Sequence, residues 1–325
     1  MPFEVNRRAN GVHLIDLGMK AGMKAASAMG AVMSIGEPKF AMFWRGTLSP
    51  FEAACVTSYV RRGYDVAVYS YEPLVGLPAG ATAGDAREIV DPEAMKRFIF
   101  AGKANLSHFS DYFRYKLFLA TDRIWVDADM LLVRQFEREL PQTVLAREWQ
   151  PSICGAIMRI DSADPHLGEL ISKTEAAMDR ELLWGETGPL LLTKVFGKAA
   201  LMEQAFEAER FYAIPHDEFW KVFLPECRDE CEAATSEAWG VHLWNNIVDT
   251  LGIWKKFAPP EGSFLYECFK QDETLSLFQE PYPEKIMKQM VENYRLRKNG
   301  EDLGIKQLST QILPSVRRTI KHYKK

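Results

Sequence analysis

The chain is short of cysteine, of charge of one sign and of long apolar runs, and each shortage removes a class of function. Its 325 residues include only five cysteines, Cys55, Cys154, Cys227, Cys231 and Cys268. The number is odd and no zinc-ribbon spacing appears, so neither a disulfide framework nor a ribbon is indicated. Cys227 and Cys231 sit in an acidic stretch and admit either a metal or free thiols; free thiols in a reducing cytoplasm are the expectation. Lys and Arg number 40 against 44 Asp and Glu, giving a net charge of −4 and a pI of about 6.0. A general nucleic-acid surface is therefore not indicated. No secretory signal opens the chain. Residues 12–35 are rich in Ala, Met and Gly, but Asp16, Lys20 and Lys24 interrupt them, which rules out a transmembrane span there. Gly18, Gly22 and Ala26 would line one face of a helix, either docked on the domain or lying in a membrane interface. Internal repeats and long low-complexity linkers are also missing.

What remains is 47% hydrophobic, 26% charged and 12% aromatic, with eight Trp. That composition suits a globular protein with a substantial core. Lys39 to Trp44 reads as a buried strand. Ser49-Pro50-Phe51-Glu52 opens a helix with a capping box and Pro in its first turn, ending near Arg61-Arg62-Gly63. Asp65–Tyr71 reads as a second strand and Glu88-Ile89-Val90 as a short third. Asn105–Ala120 reads as a helix and Ile124–Val126 as the next strand. Thr143–Trp149 and Ile153–Ile160 follow as strands, with helices at 166–180 and 189–200 and a last strand at Trp239–Trp244. This order predicts an α/β sheet of largely parallel strands.

The most informative feature is Asp127-Ala128-Asp129 at the end of Ile124-Trp125-Val126. Strand alternation would put both carboxylates on one face, roughly 7 Å apart. Like charges at the mouth of a buried strand repel and resist desolvation, and a hard divalent cation relieves both problems. The pair reads either as a solvated turn or as a metal–diphosphate site. The helix 105–120 is apolar nearly all round yet holds Asp111 and Arg114 three apart, either a structural ion pair or a clamp on a hydroxylated ligand. Glu186 precedes a helix start at Gly188-Pro189, as a cap or as a group acting on a sugar. His242 and Trp244 alternate on one strand face, and imidazole suits Mn²⁺ as a third ligand.

The run Phe109-Ser110-Asp111-Tyr112-Phe113-Arg114-Tyr115 with Asp127-Ala128-Asp129 resembles the DXD sugar-binding glycosyltransferases. Trp184 to Phe196, Phe211-Tyr212-Ala213-Ile214-Pro215 and Val241-His242-Leu243-Trp244-Asn245 resemble the conserved carboxyl half of the α1,4-glycosyltransferases, a family that includes globotriaosylceramide synthase and bacterial relatives. Phe43-Trp44-Arg45-Gly46 through Glu52 also looks familial, so the likeness runs over roughly 40–250. Thr121-Asp122-Arg123-Ile124-Trp125 stands where that family has Gly-Gly-hydrophobic-Tyr.

The resemblance implies a GT-A-type, Rossmann-like mixed sheet flanked by helices, with additional C-terminal helices. It implies a UDP-linked sugar donor, Mn²⁺ or Mg²⁺ on the diphosphate, and retaining transfer of a hexose or N-acetylhexosamine to a glycan or glycolipid acceptor in bacterial surface polysaccharide synthesis. Asp127, Asp129 and His242 would serve the metal. Asp111 and Arg114 would hold donor-sugar hydroxyls, Trp44 would meet the nucleobase, and Gly188 and Trp244 would line the donor site. Glu186 is the candidate for stabilising the positive anomeric centre. The expected organisation is a helical extension over 1–36, a catalytic domain over 37–270 and a helical segment over 271–325. That last segment ends in a basic tail carrying Arg317, Arg318, Lys321, Lys324 and Lys325, which reads as a solvated helix or as a contact with anionic headgroups. The expected location is the cytoplasm, with peripheral contact at the inner membrane. An Asp-x-Asp phosphohydrolase and a non-catalytic cation-binding or sugar-binding module are the rival readings.

Overall fold

Six strands order the molecule, and their sequence explains why both faces of the sheet are covered. The computed structural model describes residues 36–298 apart from 138, 150–151 and 198–199; the 1–36 extension (save its last residue) and the basic tail lie outside the described residues. Strands β1 (Lys39–Phe43), β2 (Asp65–Ser70) and β3 (Thr82–Asp85) run parallel, joined after β1 by helix α1 (Pro50–Arg61). The short strands β4 (Phe98–Phe100) and β5 (Lys103–Ala104) lead into helix α2 (Leu106–Ala120), which feeds β6 (Ile124–Val126) and β7 (Met130–Leu132). Next come β8 (Val144–Trp149), β9 (Ser152–Arg159), helix α3 (Pro165–Glu175), β10 (Arg180–Glu181) and helix α4 (Pro189–Phe196). The C-terminal part holds α5 (Arg228–Ala234), β11 (Gly240–His242), α6 (Asn245–Leu251), α7 (Phe264–Gln271) and α8 (Glu284–Lys298).

The main sheet has the order β3-β2-β1-β6-β9-β8. β6 pairs parallel to β1, while β9 runs antiparallel to both β6 and β8, so the sheet is mixed α/β with helices on its faces. Near-continuous apolar strands are what a doubly covered sheet requires. Phe40, Met42, Val66, Val68, Ile124 and Val126 pack into the core on the α1 side. Ala41, Phe43, Ala67, Tyr69 and Trp125 alternate with them and pack beneath α2. The second core explains why α2 is buried nearly all round: Phe109, Phe113, Tyr115, Leu117 and Phe118 are at most 2% exposed.

Several details differ from the sequence reading, among them the helices expected over 166–180 and 189–200, which end at Glu175 and Phe196. Glu88-Ile89-Val90 is not the third strand. Asp85 accepts a hydrogen bond from the Arg87 N–H and turns Ala86–Glu88 into a 3₁₀ helix, while the preceding Thr82–Asp85 pairs with β2. The last strand is shorter than Trp239–Trp244 and lies outside the main sheet, paired antiparallel with β7. Finally, β6 stops at Val126, so Asp127 and Asp129 belong to a turn closed by Met130 N–H donating to Asp127 O at 3.0 Å.

The start of α1 is as expected. Ser49 accepts from the Phe51 N–H and Glu52 reaches back to the Ser49 N–H. Glu52 is also buried against Lys255, 3.1 Å away, which ties α1 to the C-terminal part. Ser49→Ala should lower unfolding free energy by about 1 kcal/mol, read from urea denaturation; an unchanged midpoint would show that the cap adds nothing.

Candidate active site

The chain leaves β1 toward β2 on one side and reaches β6 on the other, so the order reverses between β1 and β6. In open α/β sheets the crevice at such a reversal, beyond the carboxyl ends of the strands, is where ligands bind. A cleft of about 690 Å³ opens there, lined by Trp44 after β1, Asp127 and Asp129 after β6, Asp111 and Arg114 from α2, His242 at the end of β11 and Trp244 just beyond it. Its volume is that of a small-molecule site.

The turn after β6 does what strand alternation was expected to do. One ligating atom from each of Asp127, Asp129 and His242 lies within 4.8 Å of the others. Asp129 Oδ2 accepts from the Asn245 N–H at 2.6 Å and lies 3.4 Å from His242 Nε2. Burial alone would raise the Asp129 pKa, but His242 and backbone donors outweigh it and hold the carboxyl below its ordinary value. Burial likewise acts to lower the His242 pKa; the Asp129 charge and hydrogen bond prevail and raise it. Trp244 is not on the strand. It sits in the left-handed region at φ 53° and opens α6, which still brings its ring within 4.1 Å of the His242 ring.

Arg114 joins the two acidic groups. Its guanidinium lies 3.5 Å from Asp111 Oδ1 and 3.3 Å from Asp127 Oδ1, donates to Gly155 O, and stacks 4.8 Å over the Trp125 ring. Trp125 Nε1–H donates to Asp127 Oδ1 at 2.7 Å, so one oxygen of Asp127 is engaged within the protein. Gly155 has no room for a side chain: a Cβ there would meet Arg114 Nη1 at 2.3 Å. Asp111 accepts from Thr187 Oγ1–H at 2.8 Å. Burial pushes its pKa up to about 6, against the opposing pull of Arg114 and Thr187.

Two expected residues are placed elsewhere. Glu186 does not line the cleft. It pairs with Arg180 and accepts from the Leu183 N–H, while α4 begins at Gly188 with no side-chain cap, so Glu186 neither caps that helix nor enters the cleft. Gly188 does not line the cleft either; a Cβ there would meet Asp111 Oδ2 at 2.7 Å, so its smallness lets α4 begin against the Asp111 carboxylate.

Sequence reasoning missed Glu148 and His216. Both line the cleft, with His216 Nδ1 3.5 Å from Glu148 Oε1. Separated by 68 positions and lying in no recognised run, they carry no local signal. His108, Asn245 and Asp249 also line it.

Residues 167–258 match the family model described as the alpha 1,4-glycosyltransferase conserved region. That segment supplies His242, Trp244, Asn245 and the turn before α4, whereas Trp44, Asp111, Arg114, Asp127 and Asp129 precede it. The crystal structure of the apo-form glycosyltransferase GlyE in Streptococcus pneumoniae TIGR4 aligns with a TM-score of 0.39 at 12% identity, covering 80% of this chain. The chain spans 64% of that protein's length. No curated protein matches the chain. No described helix is long and apolar enough to cross a membrane. Over residues 167–258 the chain is similar to the conserved region of the alpha 1,4-glycosyltransferases.

Proposed function

We propose that the cleft is the donor site of a metal-dependent, retaining, GT-A-type glycosyltransferase that moves a hexose or N-acetylhexosamine from a UDP-linked sugar to a glycan or glycolipid acceptor. The observation that carries this reading is the convergence of Asp127, Asp129 and His242 beside the buried Asp111–Arg114 pair in one cleft. Two carboxylates and an imidazole are a donor set that suits Mn²⁺, and Mg²⁺ less closely. His242 Nδ1 and Asn245 Oδ1 are buried without hydrogen-bond partners, so the polar groups around the triad are not satisfied by the protein alone. A divalent cation held by Asp127, Asp129 and His242 supplies electrostatic stabilisation of the departing diphosphate.

The chain's own groups divide the remaining work. Trp44 offers its indole to the base, while Asp111 and Arg114 face the sugar hydroxyls with an acceptor and a donor. Glu148 takes the place first given to Glu186. Of the carboxylates lining the cleft, Asp111 and Asp127 lie against Arg114, Asp129 against His242, and Asp249 against Lys255 at 2.7 Å. The partner of Glu148 is the imidazole of His216, so its charge is the least committed and faces the positive charge that develops on the anomeric carbon. Bacterial surface polysaccharide is the product class this reading favours, made on the cytoplasmic side of the inner membrane.

Incubation of the purified protein with UDP-sugars and Mn²⁺ tests the reading. Release of UDP supports it; release of orthophosphate indicates a phosphohydrolase, and release of neither a binding module. Asp127→Asn and Asp129→Asn should each lower kcat/KM at least about 100-fold with folding retained. Full activity in either would sink the metal assignment. Glu148→Gln should lower kcat by a similar factor with little change in donor KM.

Metal binding should depend on pH. His242 ligates only when neutral, and its pKa is raised, so Mn²⁺ affinity should weaken by about tenfold per unit as pH falls below that raised value. Calorimetric titration of Mn²⁺ at pH 8 and pH 6 reads this directly; equal affinities would remove His242 from the ligand set.

Asp111 carries a stability cost. Its folded pKa of about 6 lies above the ordinary 3.8, so the folded protein holds the proton more tightly and the parent loses stability as pH rises through that window. Asp111→Asn has no such loss. Between pH 4 and pH 7 the variant should gain about 2–3 kcal/mol on the parent, measured by denaturation at each pH, while donor turnover is lost.

A further inference from the structure

The turn before α4 meets a buried histidine on α2. His108 stands in the first turn of α2 and is 1% exposed. Its Nδ1 lies 2.7 Å from Thr187 Oγ1, and Thr187 Oγ1 lies 2.8 Å from Asp111 Oδ2. Thr187 is likewise 1% exposed. An ionised carboxylate only accepts hydrogen bonds, so the single hydroxyl proton of Thr187 goes to Asp111. The same hydroxyl must then accept from His108, which places the ring proton on Nδ1 and leaves a lone pair on Nε2. That Nε2 is buried and has no partner. A buried acceptor without a partner is unfavourable, and a ligand's hydrogen-bond donor would recover that loss. The ring lines the cleft and is flanked by Phe100 and Trp184, with ring centroids 5.8 and 6.1 Å away.

We propose that His108 is a specificity residue of the donor site, whose Nε2 accepts a hydrogen bond from a hydroxyl or amide N–H of the transferred sugar, and whose tautomer is set by the Thr187–Asp111 relay. This rests on the nucleotide-sugar reading of the cleft. One side of the sugar then meets two acceptors held in register by a single threonine hydroxyl: Asp111, which takes charge-assisted bonds, and His108, which takes a neutral one. A site built around such fixed acceptors rejects sugars lacking the matching donor group much more strongly than an apolar pocket rejects a poor fit. Gly188 belongs to the same device, because a side chain there would displace the carboxylate on which the relay ends.

The test compares ligands with and without the sugar, at pH 8 with Mn²⁺. The parent and His108→Phe are titrated with UDP, UDP-galactose and UDP-N-acetylglucosamine. His108→Phe should bind UDP as the parent does and bind the UDP-sugar preferred by the parent about tenfold more weakly, the loss expected for one hydrogen bond. Unchanged UDP-sugar affinity overturns the proposal, and so does an equal loss for UDP, which would mark a structural effect. A parent that binds neither UDP nor a UDP-sugar overturns the nucleotide-sugar reading and the proposal with it. Nitrogen chemical shifts of the His108 ring give a readout independent of ligands. The parent and Thr187→Ser should show the Nδ1–H tautomer, and Thr187→Val should lose it. An Nε2–H tautomer in the parent overturns the relay.

Discussion

The guanidinium of Arg114 is the charge on which the rest of the cleft depends. It is buried with Asp111 on one side and Asp127 on the other, lies over the Trp125 ring, and donates to the backbone of β9 through Gly155. A buried cation is tolerated only where partners on several sides replace its water. Those partners lie on α2 itself, on β6 and its end, and on β9, so the three elements are held in one arrangement by one side chain. The small residue at 155 follows from this, since the guanidinium occupies the space where a side chain would lie. The same is true at 188, where the neighbour is the Asp111 carboxylate. Two glycines far apart in sequence thus answer to a single ion-paired unit.

Short-range signals in the sequence were sufficient for most of the frame. The capping box at Ser49 and Glu52, the buried runs of β1, β2 and β6, and the apolar girth of α2 each rest on contacts within a few residues or on burial of both sheet faces. The pairing of Asp111 with Arg114 was also visible, because three positions on a helix are one turn. The failures share one cause, competition at an element's end. Asp85 captures the backbone of Arg87 and diverts the chain into a 3₁₀ turn, so the apolar Ile89-Val90 that looked like a strand packs beside it instead. At Asp127 the strand gives way to a turn, and the two aspartates converge for a reason that alternation does not supply.

The site was less legible than the frame because its contacts span long distances in the chain. Thr187 reaches Asp111 across 76 positions and His108 across 79. Asn245 caps the Asp129 carboxylate across 116. Glu186 looked functional because it stands before a helix beside a familial Gly-Pro. Arg180, six residues away in β10, claims it. The neighbouring Thr187 turns inward and has the polar contact with Asp111, a choice that alternation along an irregular turn does not reveal.

Charge balance in the cleft explains why the acidic groups and the proposed cation belong together. Five carboxylates, Asp111, Asp127, Asp129, Glu148 and Asp249, line it against two arginines, Arg45 and Arg114. Lys255 offsets Asp249 from outside the lining. A diphosphate brought alone to such a surface meets like charge in a partly desolvated space, where repulsion is stronger than in water. The charge of Asp129 and its hydrogen bond to the imidazole hold the His242 pKa above its ordinary value. A divalent ion held by Asp127, Asp129 and His242, as proposed, would take the imidazole in its neutral form and add positive charge at the end of β6. On the proposed reading the acidic lining would disfavour a diphosphate that arrives without a cation, while Arg114 is held between Asp111 and Asp127.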